Sequence, residues 1–120
     1  MKAGSRDYRD FLEDMARYAE KGMHIVKNLD YGAFQGNEEK VLAAIRVIEV
    51  IGEAAKNIPP SIRDRYPDVP WSGLARMRDK LIHVYFGGVD IEVVWQTLQD
   101  DLPPLHESMK KIMDDLGDER

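Results

Sequence analysis

The sequence predicts an all-α fold, an antiparallel bundle of four to five helices, and three observations predict it. Apolar side chains recur at helical spacing along almost the whole chain, and no segment shows the strict alternation of a strand. The seams approach a spacing of about 3.5 residues, the pattern of helices that pack nearly parallel, crossing at about 20°. The 120 residues suit one domain, spanning 1–120. A chain of this length buries roughly two thirds of its unfolded surface, enough for one modest core.

The elements follow in order. Phe11, Met15, Tyr18, Gly22, Ile25 and Leu29 form one stripe of a long first helix that begins near Asp7. The stretch "LDYGAFQGNEE" breaks it with turn-forming residues. Asn37 is placed to cap the second helix, with Glu38 and Glu39 favourable in its first turn. Val41, Ile45, Ile48, Gly52 and Ala55 make the second stripe. The small residues Gly52, Ala54 and Ala55 let a neighbouring helix come close. Pro59 and Pro60 stop this helix. In the connector "SIRDRYPDVPW", Ser61 is positioned to cap a short turn that Pro67 limits, and Pro70 suits the start of the next helix. That helix carries Leu74, Met77, Leu81 and Val84 or Tyr85, and ends at Gly87–Gly88. Asp90 caps a last helix along Ile91, Val94, Leu98, Leu102, Leu105, Met109, Ile112 and Leu116, which Pro103 and Pro104 should kink or split.

Composition bounds the function. Apolar residues make up 43% and charged residues 32% of the chain, as in globular proteins. The formal net charge of −5 argues against broad, non-specific nucleic-acid binding but leaves room for a local basic patch. The absence of cysteine removes disulfides, thiolate metal sites and a cysteine nucleophile. No apolar run is long enough to span a membrane, and "MKAGSRDYRD" lacks the apolar centre of a signal peptide, so a cytoplasmic protein is expected. His24 and His106 stand apart from any cluster, and no metal motif is present. Trp71 and Trp95 are expected as core or interface anchors.

One segment departs from this pattern. "RMRDKLIHVYF", residues 76–86, gathers Arg76, Arg78, Lys80, His83 and Tyr85 where an apolar helix stripe should continue. The residues alone leave two readings open. Charges on a bundle helix usually face water, and a histidine near a helix C-terminus is a favourable cap. Alternatively, planar guanidinium groups suit phosphate oxygens, and histidine can move a proton near neutral pH. Together they match metal-free cleavage of RNA, with histidine as acid or base and arginine stabilising charge at phosphorus. Arg78 and His83 are five residues apart, about 140° around a helix, so a single helix makes a poor Arg–His site. Two such helices across a two-fold axis would supply both residues from both chains, which predicts a homodimer. Asp79 and His83, four apart, can pair and orient the ring.

In order, Arg78, His83 and Tyr85 spell R-x-x-x-x-H-x-Y. With "EVIGEAAKNIP", "RYPDVPW", "MRDKLIHVYFG", "VDIEVVW" and "DLPPL", they make the chain resemble the HepT family of HEPN-domain ribonuclease toxins over about residues 7–115. The resemblance implies an all-α homodimer with the motif at the dimer cleft. It implies a metal-independent endoribonuclease, without cofactor, acting on messenger or transfer RNA as the toxin of a type II/VII-like toxin–antitoxin pair. Its partner would be an MntA-type minimal nucleotidyltransferase that transfers AMP to the motif tyrosine. By position, Arg78 and His83 would be catalytic, Tyr85 the modified residue, and Arg76 and Lys80 phosphate-binding. AMP would add bulk and negative charge beside cations meant for RNA. Two features depart from the pattern: Asp79 stands where asparagine is expected at least as often, and "YFGGVD" holds one extra glycine. Glu53, on the small-residue helix, is placed either in surface pairing or as a brace for Arg78. A non-catalytic HEPN module that binds nucleotide or protein is the second reading, and a purely structural helical dimer the third.

Overall fold

The computed structural model describes residues 7–78 and 90–117, and no strand occurs among them. Three long helices form the stem: α1 (Tyr8–Val26), α3 (Glu38–Lys56) and α7 (Leu102–Gly117). Shorter ones connect them: α2 (Tyr31–Gln35), α4 (Pro60–Arg65), α5 (helical from 71 to 78 in the described part) and α6 (Ile91–Gln96). The segment Thr97–Asp101 is π-helical and joins α6 to α7.

α1 is the central helix and packs most extensively on α7 and α3. Both neighbours run antiparallel to it. Lys40 at the start of α3 donates from Nζ to the Ile25 carbonyl at the end of α1, at 3.4 Å. His106 early in α7 lies 3.7 Å from Glu20 late in α1, while Arg9 and Glu13 early in α1 share a cleft with Met113 and Leu116 late in α7. The core between the three is apolar: Leu12, Met15, Ala19, Ile48, Ile51, Leu98, Met109 and Ile112 are all buried. Each large side chain there contributes about 1.5–3 kcal/mol by leaving water.

The stripe of α1 is rotated from the expected one. Met15 and Gly22 are buried, but the seam runs through Leu12, Ala16, Ala19 and Val26, while Phe11, Tyr18, Ile25 and Leu29 flank it half-buried. A helix between two partners needs a wide apolar face, and a 4-3 count follows only one edge of it. In α3 the expected Val41, Ile48, Gly52 and Ala55 are buried, and Ile45 is half-buried. The α7 stripe from Val94 to Leu116 is buried as expected, and Ile91 is half-buried.

The caps explain the boundaries. Asp7, Asn37 and Asp90 each accept a backbone N–H with the side chain, from Arg9, Lys40 and Val93. The stretch read as a break between α1 and α3 contains α2, capped by Asp30 accepting from Ala33 at 2.8 Å. Asn28, at φ 62°, turns the chain into it, a left-handed conformation that asparagine tolerates. α4 starts at Pro60 with Pro59 as its cap residue, so Ser61 lies inside the helix. Proline at the first helical position has no N–H to leave unpaired. Pro70 precedes α5 and accepts the Leu74 N–H at 2.9 Å. Pro103 and Pro104 split the last helix into α6 and α7 through the π segment. Their rings would clash with carbonyls four residues back; a wider turn relieves this, and the Leu102 N–H bonds the Thr97 carbonyl, five back.

Both tryptophans are anchors within this fold. Trp71 is buried and donates from Nε1 to the Tyr66 carbonyl at 3.0 Å, fastening the α4–α5 connector. Trp95 on α6 meets Phe34 and Tyr31 of α2, with ring centroids 5.2 and 6.0 Å apart.

Candidate nucleic-acid interface

The described part of α5 carries Arg78, and α3 positions it. A Cβ on Gly52 would lie 2.5 Å from Arg78 Cβ and 3.0 Å from the Leu74 carbonyl oxygen. Only glycine lets the two backbones approach this closely. Beside that contact, the next residue, Glu53, meets Arg78 across the helix pair, Nε to Oε2 at 3.3 Å. The Arg78 side chain is 27% exposed and Glu53 is 58% exposed. Glu53 is therefore the brace on Arg78 that the sequence offered as an alternative. Pairing at Nε sets the plane of the guanidinium, the property that matters for a group that binds two phosphate oxygens.

Arg78 also lines a cleft of about 360 Å³ between α1, α3 and α5. Arg17 and Arg46 reach the same cleft, as do Asp14, Glu49 and Glu53. Three cations and three carboxylates balance formally. Arg17 pairs with Asp14 at 3.2 Å, as Arg78 does with Glu53. Sequence reading missed Arg17 and Arg46. The signal for Arg46 was present: 46, 49 and 53 follow the 3-4 spacing of one helix face.

Arg76 is exposed and does not share this cleft. Two residues along a helix is a turn of about 200°, so Arg76 and Arg78 leave α5 on different sides. Arg76 instead lines a second cleft, against α4. The expectations for Lys80, His83 and Tyr85, and for Asp79 and the Gly87–Gly88 loop, lie outside the described residues. Among the described residues no three His, Asp or Glu side chains converge as metal ligands, and no helix is long and apolar enough to cross a membrane. Among the described residues the one shifted acid is Asp101 in the π segment. Burial, then the neighbouring Asp100 charge, raises it above the ordinary carboxylate range. It borders a largely apolar cavity of about 390 Å³ with Asp68, between α5 and α7.

The fold and this arginine-bearing helix define the class: an all-α helical bundle in which one helix, pinned to its neighbour by a glycine, displays cations. The chain belongs to the Ribonuclease HepT-like family, whose model matches residues 9–112. It is 45% identical over 111 residues to a Methanocaldococcus jannaschii protein named "Putative RNase MJ0125", covering 92% of this chain and 95% of that one. It is 41% identical over 107 residues to "Probable ribonuclease HepT" of Thermococcus cleftensis, covering 89% and 96%. A relative from Caldanaerobacter subterraneus subsp. tengcongensis, also named as an RNase, is 37% identical over 88% of this chain and 93% of its own length. No solved structure gives a significant match.

Proposed function

We propose that the protein is a metal-independent endoribonuclease, the toxin of a toxin–antitoxin pair, and that it works as a homodimer. The observation that carries this reading is the run Arg78–His83–Tyr85 in a chain of the Ribonuclease HepT-like family. In the proposed reaction His83 takes the proton of an RNA 2′-hydroxyl as its oxygen attacks the adjacent phosphorus, or returns a proton to the departing 5′-oxygen. Arg78, oriented by Glu53, holds the oxygens of the phosphorus centre as charge builds on them. Arg76 and Lys80 bind phosphate. The wide angle between Arg78 and His83 on a regular helix supports a site completed by a second copy.

Control falls to Tyr85. An MntA-type nucleotidyltransferase would move AMP from ATP onto the phenol oxygen, releasing pyrophosphate. Each AMP places a negative phosphate beside the cations that should hold RNA.

A second reading follows from the Arg78–Glu53 pair. A guanidinium engaged by a carboxylate also suits a non-catalytic module that supports the nucleotidyltransferase. Expression of the chain alone separates the two. The ribonuclease reading predicts growth arrest and broken RNA, both lost in Arg78→Ala and His83→Ala while the variants stay folded. Co-expression with an MntA-type nucleotidyltransferase should restore growth and add AMP mass to Tyr85, which Tyr85→Phe should prevent. Harmless wild-type protein with intact RNA would favour the binding module.

A further inference from the structure

The second arginine cleft differs from the first in charge and in walls. It opens between α4 and the start of α5 with a volume of about 660 Å³. Arg63 enters it from α4 and Arg76 from α5, and among the described residues the one carboxylate on its lining is Asp64. Neither arginine has an ion-pair partner among the described residues. The Arg78 cleft is neutral, whereas this one keeps a surplus positive charge in a chain of net −5.

The walls are stiff. Pro60, Pro67 and Pro70 line the cleft and fix its backbone, and the Trp71–Tyr66 hydrogen bond ties the connector beneath it. Arg63 is half-buried, with its Nε shielded from solvent and bonded to no acceptor, so its stem is held against the protein. Among the described residues Trp71 is the one aromatic residue on the lining, and it is only 6% exposed. The cleft thus offers charge without a face for base stacking, and charge without stacking recognises a backbone.

We infer that Arg63 and Arg76 form a second phosphate subsite, which grips an RNA phosphodiester flanking the one that is cut. The inference rests on the ribonuclease reading. Because Arg76 and Arg78 leave α5 on different sides, the phosphate at this subsite is not the scissile one. The subsite strengthens binding of long RNA without choosing its sequence.

The test uses the full chain as wild type, Arg63→Ala, Arg63→Lys and Arg63→Ala/Arg76→Ala, with equal urea midpoints as the check on folding. Cleavage of a long single-stranded oligoribonucleotide and of a dinucleotide is measured alongside anisotropy binding of the long one. Arg63→Ala should raise KM for the long RNA about fivefold, leave kcat unchanged, and lower the salt slope of binding by about 0.7, as for one lost phosphate on a single strand. Arg63→Lys should recover most of the loss, cleavage of the dinucleotide by Arg63→Ala should match that by the wild type, and inorganic phosphate should compete weakly. Unchanged KM and binding for the long RNA would overturn the subsite while leaving the ribonuclease standing. An equal fall in kcat on both substrates would assign Arg63 a structural role instead. If the wild type cuts no RNA, the ribonuclease reading fails; anisotropy then judges the cleft alone, and equal binding by wild type and double variant overturns it.

Discussion

The α1–α3–α7 stem and the α4–α5 face divide the work of this small protein. The stem is dry and filled, with Leu12, Met15, Ala44, Ile48 and Met109 meeting at its centre and its charges kept outside. The α4–α5 face is grooved, built on prolines, and carries Arg63 and Arg76 in one cleft, while Arg78 leaves α5 on the side of α3. They touch at Gly52, where α3 gives up a side chain so that the arginine helix can seat against it. The stem supplies stability, the α4–α5 face supplies charge, and one glycine couples them.

Breaking the stem should have the largest effect. Met109→Ala, at a position with no exposure, should lower unfolding stability by about 2–5 kcal/mol in urea melts. Gly52→Ala tests the coupling. Its added methyl meets the Cβ of Arg78 and a carbonyl, neither of them the free end of a side chain, so α5 must move. The cost should be about 1–2 kcal/mol, overpacking reduced by the better helix propensity of alanine, and RNA cleavage should fall more than the melt accounts for. Full activity in Gly52→Ala would break the claim that α3 positions Arg78.

Glu53→Gln sharpens it. The pair is partly exposed, so stability should change by less than about 1 kcal/mol, while cleavage falls severalfold because Arg78 loses its orientation. A larger stability change with normal cleavage would make the pair a structural clasp. Asp101→Asn should have the smallest effect, a gain within about 0.5 kcal/mol at neutral pH. Folding raises the Asp101 pKa, so the native state holds its proton more tightly, and stability is lost as pH rises from the ordinary carboxylate pKa through the raised one. The gain from asparagine should therefore appear above that window and fade below it, read from urea midpoints across pH.

Much of the fold was legible because helical periodicity and capping act locally. Asn37, Asp90 and the Val94–Leu116 stripe stand where their spacing put them. Local rules failed where several elements compete. The α1 stripe turned because two partners claim it, and α2 formed inside an apparent turn because Asp30 caps it and Phe34 finds Trp95. Around Arg78, the Glu53 brace was readable, and Arg46 could have been found from its spacing to Glu49 and Glu53 on one helix face. Arg17 and Arg63 could not, because each meets its cleft through long-range packing that no local spacing encodes.

Cleavage of single-stranded RNA by purified wild-type protein in excess EDTA, beside Arg78→Ala and His83→Ala, tests the central claim most directly. Rapid cutting by the wild type, reduced at least about a hundredfold in either variant with folding intact, is the predicted result. Intact RNA with the wild type, or cutting that persists in both variants, would contradict it.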